Sequence, residues 1–367
     1  MLIDGKHYRT IERTEDLNAV QIIDQRYLPF EVRFERIDTF HAMVAAIREM
    51  HLRGAPLIGA AAGFGVWLAC EEYRDLSPAQ VASRVGAAIE ELAAARPTAV
   101  NLRWALRRMA AVIATSTSAV ERARLAAAEA QRIADEDVEV CAALGRVGVT
   151  LLKDIHENHP GRPVQILTHC NAGWLATVDY GTVTAVIYEA ARLGIPMHVW
   201  VDETRPRLQG SLTAWELTEN GIDNTVICDN SGGHIMQHGM VDMVLVGTDR
   251  TAGNGDVANK IGTYLKALAA RDNDLPFYVA LPSSSFDPSI PSGVDGIPIE
   301  ERDPDEVLSV RGMAEGGWSR VSLYAPSTRA ANYAFDVTPA RLVSGYITER
   351  GLFSAQQLKE ALAAHKE

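Results

Sequence analysis

Cysteine is scarce. The 367 residues include 4, at Cys70, Cys141, Cys170 and Cys228, with no CxxC pair among them. That spacing excludes a disulfide scaffold and the common thiolate zinc sites. The opening stretch "MLIDGKHYRT" has no apolar leader, so a reducing cytoplasm is the expected setting. Positive charge is also short, with 35 Lys and Arg against 47 Asp and Glu and a net charge of −12. Such a chain has no general attraction for nucleic acid or an anionic membrane, and an anionic ligand must be held by a local cluster of Arg, Lys and backbone N–H groups. A small-molecule partner is expected. Long apolar runs are missing too: "APLIGAAAGFGVWLAC" (55–70), bounded by Arg53 and Glu71, falls short of the ~18 residues of a membrane span and reads as a buried helix. No GxGxxG follows the first strand of the sheet described below, and neither GxxxxGK[ST] nor GxSxG occurs. The usual dinucleotide, P-loop and hydrolase fingerprints are therefore excluded.

What is present is an ordinary globular composition, 47% hydrophobic and 22% charged, with room for about two domains of roughly 100–200 residues. Residues 1 to about 35 mix short apolar and charged pieces, which suggests a small sheet or cap. Helical spacing follows in "DTFHAMVAAIREM", "SPAQVASRVGAAIEELAAA" and a run over about 118–156. Ser77 and Pro78 read as a capping serine and a first-turn proline. The turn formers of "HENHPGRP" (156–163) place a boundary between a mainly helical domain, 1–155, and a second domain, 156–367. In the second, "VQILT", "MHVWVD", "TVICD", "VDMVLVG" and "FYVAL" alternate with helical segments near 182–193, 211–220, 231–239 and 256–272. The expected fold class is α/β: a Rossmann-like, doubly wound parallel sheet after the helical domain.

Such sheets bind ligands at the carboxyl ends of their strands. Those ends carry Thr168, His169 and Cys170; Asp202 and Glu203; Asp229 and Asn230; Thr248 and Asp249; and Pro282, Ser283 and Ser284. Cys170, in "THCNAGWLAT", has two readings. It is a small buried hydrophobe, or a thiol whose pKa is lowered by the free N–H groups of a turn containing Asn171 and Gly173. The other three cysteines lie in apolar runs and read as structural. Asp249, in "VGTDRTAGNGDVANKIGTY", is a rim carboxyl suited to acid–base work or an ion-pair partner of Arg250. A helix expected to begin at about Asp256 puts Asn259 and Lys260 in its electropositive first turn, which suits a phosphate or a sugar hydroxyl; a solvated helix start is the plainer reading. Arg53 and Arg96 each stand beside Gly or Pro at a helix edge and suit bidentate phosphate binding, although surface arginines are common. His234 and His238 have HxxxH spacing, but Ile235 stands where the zinc motif needs Glu and no third ligand is apparent, so no metal is expected.

"RGAPLIGAAAG", "RPTAVNLRWAL", "THCNAGWLAT", "VDETRPRLQGSLTAWEL", "VGTDRTAGNGDVANKIGTYLKALAA", "IPIEERDPDEV" and "YAFDVTPARLVSGYITERG" run in order from about residue 25 to 353. Together they resemble the 5-methylthioribose-1-phosphate isomerase family of methionine salvage. Its wider superfamily holds ribose-1,5-bisphosphate isomerases and regulatory subunits of translation initiation factor 2B. The resemblance implies a cytoplasmic homodimer acting on a sugar phosphate without metal or organic cofactor. It implies Cys170 and Asp249 as the catalytic pair. It also implies substrate binding by Arg53, Gly54 and Ala55 of RGAP, Arg96 of RPTAVNL, Gln209 of DETRPRLQG, and Asn259 and Lys260 of NKIGTY. The alternatives within the superfamily are an isomerase of another ribose 1-phosphate derivative, such as ribose 1,5-bisphosphate, and a non-catalytic regulatory subunit. Trp174 and Asp179 replace small residues, Thr248 stands for Ala, "DNSGGHIM" replaces a DxMAA-like segment and "LQGSLTAWEL" is one residue short. All matched catalytic residues remain.

Overall fold

The computed structural model describes residues 2–96 and 99–363. The chain forms two compact units, Met1–Gly145 with Ala172–Ala185, and Arg146–Asn171 with Val186–Glu367. They part inside a long helix, ahead of the turn-forming residues 156–163.

The first unit opens with a hairpin, β1 (Leu2–Ile3) and β2 (Lys6–His7), and an antiparallel sheet of β3 (Ile11–Arg13), β4 (Val20–Ile23) and β5 (Phe34–Ile37). The helices are α1 (Phe40–Arg48), α2 (Ala55–Glu72), α3 (Pro78–Ala95), α4 (Val100–Ile113) and α5 (Ala119–Asn158). α2 is the expected buried helix. It is apolar all round and its residues from Leu57 to Cys70 are buried, as a core helix requires. α3 starts where Ser77 and Pro78 indicated, with the Ser77 N–H donating to Gln80 Oε1 at 3.2 Å. Among the described residues no helix is long and apolar enough to cross a membrane.

Residues 172–185 are held within this unit by named bonds. The Thr10 N–H donates to Val178 O at 3.0 Å, the Gln25 amide donates to Leu175 O at 2.7 Å, and His7 pairs with Asp179 at 2.7 Å. The Asp179 that departs from the family's small residue is thus a partner for His7. Trp174 is fully buried. The Val178 N–H donates to the Asp137 carboxyl at 2.7 Å. Burial pushes the Asp137 pKa from 3.8 to about 7 against that bond, and the Asp179 charge adds to the rise. A folded-state pKa above the unfolded one gives stability that is complete below about pH 4 and is lost as pH rises toward 7. Asp137→Asn retains an acceptor for Val178. It is expected to stabilise the protein by on the order of 2 kcal/mol at pH 8 and to change little at pH 4. Thermal melts at the two pH values check this; equal shifts at both would contradict it.

The second unit is built on seven strands: β6 (Val164–Thr168), β7 (Met197–Asp202), β8 (Asn224–Ile227), β9 (Met243–Val246), β12 (Phe277–Ala280), β17 (Gly345–Thr348) and β18 (Gly351–Phe353). Their order is β18-β17-β12-β9-β6-β7-β8. All neighbours pair parallel except β17 with β18. Helices α6 (Val183–Arg192), α7 (Gln209–Glu219), α8 (Ser231–Gln237) and α12 (Ala355–Ala363) follow strands of this sheet, and α9 (Thr263–Asp272) lies between β9 and β12 in the chain. The five expected strands are present; β17 and β18 were not anticipated. The chain winds outward from β6 through β7 to β8, then returns to the other side at β9 and continues to β12. Neighbouring strands β6 and β9 therefore flank a topological switch point, where open α/β sheets bind ligands.

A second, four-stranded sheet has the order β13 (Phe286–Asp287), β10 (Arg250–Ala252), β11 (Val257–Lys260), β16 (Phe335–Thr338). It corrects the expected helix start at Asp256: Asn259 and Lys260 lie on β11, and the helix begins at Thr263. The remaining pieces are single turns α10 (Gly293–Gly296) and α11 (Asp305–Leu308) and the hairpin β14 (Ser309–Ala314) with β15 (Gly317–Ser322).

Candidate active site

β6 ends at Thr168, and Cys170 follows in a left-handed conformation with φ 69°. A non-glycine residue there is strained and persists only where its surroundings fix it. Two threonines do so. The Cys170 N–H donates to Thr204 Oγ1 at 2.9 Å, and the Thr213 hydroxyl donates to the Cys170 carbonyl at 2.8 Å. Thr204 is held in turn, its hydroxyl donating to Asp202 O at 2.9 Å and its N–H to Asp229 Oδ1 at 2.7 Å. Asn171, next in the chain, donates to Thr213 Oγ1 at 3.0 Å and to the buried Glu216 carboxylate at 2.6 Å. The thiol is half-buried. Cys70 and Cys141 are buried, and burial pushes the Cys70 thiol up to about 12. Cys228, expected to be structural, is exposed, because it follows β8 at the sheet edge.

Asp249 stands between β9 and β10. Its N–H donates to Ala258 O at 3.0 Å, and so does the Thr248 hydroxyl, at 3.1 Å. The side chain is half-buried. Arg250, weighed as its ion partner, pairs with Asp287 of β13 at 3.9 Å. β11 pairs antiparallel with β10, Arg250 opposite Ala258, and brings Lys260 to its end. Lys260 is only 4% exposed. Burial pushes its ammonium pKa down, and the charges of Cys170, Asp249 and Glu306 draw it back up, while Arg302 lowers it. One buried cation thus senses both members of the expected catalytic pair, which follow neighbouring strands at the switch point. Asn259, also buried, donates to Thr263 Oγ1 at 3.1 Å.

Gln209 begins α7. It is buried, and its Oε1 has no hydrogen-bond partner among the described residues, an unmet acceptor suited to a ligand hydroxyl. A glycine sets its place: a Cβ at Gly210 would lie 1.9 Å from Asp202 O. Gly210→Ala is therefore expected to cost on the order of 2–3 kcal/mol through forced backbone displacement, read as a lowered melting temperature. A variant as stable as the parent would contradict the close approach.

The other predicted residues belong to the first unit. Gly54, with φ 106°, precedes α2, and a Cβ there would meet Ala176 Cα at 2.4 Å. Arg53 lies before it and Ala55 is the first residue of α2; all three are half-buried. Arg96 follows α3 and is half-buried; Pro97 and Thr98 of RPTAVNL lie outside the described residues. His234 and His238 stack on α8 and the turn after it, ring centroids 4.2 Å apart, with the His238 Nδ1–H donating to His234 O at 2.8 Å.

Sequence reasoning missed two parts. One is Lys266 and its grouping with His169 and Asp202, the latter two already read as strand-end residues. The other ties the "DETRPR" loop to "ERDPDE". Arg207 pairs with Glu306 at 2.6 Å, Arg302 pairs with Glu306 at 2.7 Å, and Arg205 donates to Val307 O at 2.9 Å. Although burial raises the Glu306 pKa, the two arginines bring it down to about 2. The alternating charges were visible in both segments.

A family model described as "Initiation factor 2 subunit family" matches residues 51–355. A methylthioribose-1-phosphate isomerase of Rhodospirillum centenum is 55% identical over 360 residues, covering 97% of this chain and 94% of its own. One from Brucella anthropi is 55% identical over 355 residues, covering 96% of each chain. The crystal structure of 5-methylthioribose 1-phosphate isomerase from Pyrococcus horikoshii OT3 has a TM-score of 0.85 at 41% identity, covering 98% of this chain and 97% of that one. The translation initiation factor eIF-2B subunit delta of A. fulgidus has a TM-score of 0.80 at 34% identity, over 96% and 100%. This chain belongs to the initiation factor 2 subunit family, within its methylthioribose-1-phosphate isomerase branch.

Proposed function

We propose that the protein converts 5-methylthioribose 1-phosphate to 5-methylthioribulose 1-phosphate, with 5-deoxyribose 1-phosphate as a further substrate. The observation that carries this reading is Cys170 and Asp249 at the ends of adjacent strands of a switch point, both sensed by buried Lys260. A pure binding module has no use for that pair.

The chemistry assigns the roles. The phosphate on carbon 1 prevents spontaneous opening of the sugar, so an acid must protonate the ring oxygen as the bond from carbon 1 to it breaks. Asp249 is that acid. The hydrogen on carbon 2 must then move to carbon 1. Cys170 as thiolate takes it as a proton, leaving an enol phosphate, and returns it to carbon 1 while the Asp249 carboxylate takes the proton of the carbon 2 hydroxyl, which becomes a carbonyl. In the alternative route the hydrogen migrates as hydride and Cys170 only shapes the site. No electrons are gained or lost overall, so neither route needs an oxidant. Lys260 and Gln209 hold substrate oxygens, and Asn259 supports them. Arg53, with Gly54 and Ala55, and Arg96 take part in binding the substrate, the arginines as phosphate ligands.

The protein acts in the cytoplasm as a homodimer. The exposed apolar side chains Met313, Val321, Leu323 and Tyr324 on and beside the β14–β15 hairpin supply a surface for association. Sedimentation of the purified protein tests this, and a monomer at micromolar concentration would contradict it. The activity is tested by phosphorus NMR with 5-methylthioribose 1-phosphate and ribose 1,5-bisphosphate in parallel. Conversion of the first to a ketose 1-phosphate is expected. Turnover of the bisphosphate alone would replace the substrate assignment.

A further inference from the structure

Behind Cys170 lies a buried group that the chemistry above does not use. His169 and Asp202 are 1% and 0% exposed. The His169 Nε2 faces Ile261 O at 2.8 Å; a carbonyl only accepts, so Nε2 carries a hydrogen and donates it. Nδ1 lies 2.8 Å from Asp202 Oδ2 and 3.9 Å from Asp229 Oδ1. Lys266 Nζ stands 3.2 Å from the same Asp202 oxygen and donates to the Asp229 carbonyl. Burial raises the Asp202 pKa, and the His169 bond and charge together with Lys266 oppose the rise. From β16, Asp336 accepts from the Gly262 and Tyr264 N–H groups at 2.7 and 3.1 Å and feels the charges of His169 and Lys266. Glycine lets the ring pack close to the main chain here: a Cβ at Gly262 would sit 3.0 Å from His169 Cε1.

The neighbours in sequence give the group its meaning. His169 precedes Cys170, and Ile261 follows Lys260. One imidazole therefore links the strand end that carries the thiol to the strand end that carries the cation, and Asp202 braces it from β7. Resting on the isomerase reading, we propose that His169 is a positioning residue, its ring fixing the separation of Cys170 and Lys260, with Asp202 and Lys266 locking the ring. Fixed separation matters because a displacement of about 1 Å in a reacting constellation costs roughly 10²-fold in rate.

The test compares His169→Gln, Asp202→Asn and the double variant with the parent full-length protein. Turnover of 5-methylthioribose 1-phosphate is read beside hydrogen–deuterium exchange of peptides covering residues 168–172 and 258–262. Each single variant is expected to lose about 30- to 100-fold in kcat with KM within about threefold. The double variant should be no worse than the weaker single within about threefold, because both substitutions cut one tie. In His169→Gln both peptides should gain exchange together while the rest of the chain keeps its protection. A kcat within about threefold of the parent, additive losses, or exchange rising in only one peptide would overturn the proposal. If His169→Gln does not fold, Lys266→Met takes its place, with the same direction expected and the same outcomes against it. Absence of turnover by the parent would overturn the isomerase reading instead, and the exchange result would still decide whether the ring holds the two segments together.

Discussion

Asp249→Asn is expected to fold like the parent and to lose about 10³-fold in kcat with little change in KM. The folding half follows from what Asp249 contributes. Its backbone N–H holds Ala258 O, and that bond survives the substitution; the side chain sits half-buried at the rim. The catalytic half follows from the substrate. With the phosphate on carbon 1, ring opening requires a proton on the departing oxygen, and an amide cannot deliver one. Because the proton is needed in the transition state, the loss falls on kcat and leaves binding largely intact. Melting temperatures and steady-state kinetics measured together decide the matter. A well-folded variant within about tenfold of the parent would remove the acid role.

Cys170→Ala is the second large effect, at least about 10²-fold in turnover. The left-handed backbone at Cys170 is held by Thr204 and Thr213 through main-chain atoms. The truncated side chain therefore leaves the turn in place, apart from the modest strain already present at φ 69°. On the proposed proton-transfer route, what disappears is the thiolate that carries the carbon 2 proton. Cys170→Ser keeps the shape but replaces the thiol with a hydroxyl, a far weaker acid, and is expected to be nearly as slow. Near-parental turnover by both variants would assign the hydrogen transfer to the hydride route. Loss in Ala with recovery in Ser would show that polarity and size matter more than the thiolate.

Much of this architecture was legible because its signals are local. The five apolar strands and their helices follow from hydrophobic runs and turn residues, and Ser77 with Pro78 marked the start of α3. Cys170 and Asp249 were singled out because a strand end is a readable place. The position of Lys260 was misread: "DVANKIG" has helix-forming Ala and Lys, yet Gly253 and Asn254 are the centre of the turn of the β10–β11 hairpin, closed by the Gly255 N–H donating to Ala252 O at 2.9 Å, with Gly255 at φ 89°. A short Gly-containing loop between two apolar pieces is a hairpin signal, and it outranked propensity here. β17 was missed because "GYIT" is short, one of its partner strands, β12, lies far back in the chain, and the other, β18, is only three residues long. The full His169–Asp202–Lys266 group was out of reach as well. The strand ends already put His169 and Asp202 on one rim, but nothing in the spacing says that Lys266 of α9 joins them.

The most direct measurement is proton NMR of 5-methylthioribose 1-phosphate in deuterated water with the purified protein, Asp249→Asn run in parallel. The predicted result with the parent protein is loss of the anomeric proton signal and growth of the carbon 1 signal of the ketose, the phosphate still attached, with the variant spectrum unchanged over the same time. Deuterium at carbon 1 would add support for proton transfer through Cys170. An unchanged anomeric signal with the folded parent protein would contradict the assignment of a sugar 1-phosphate isomerase acting on this substrate.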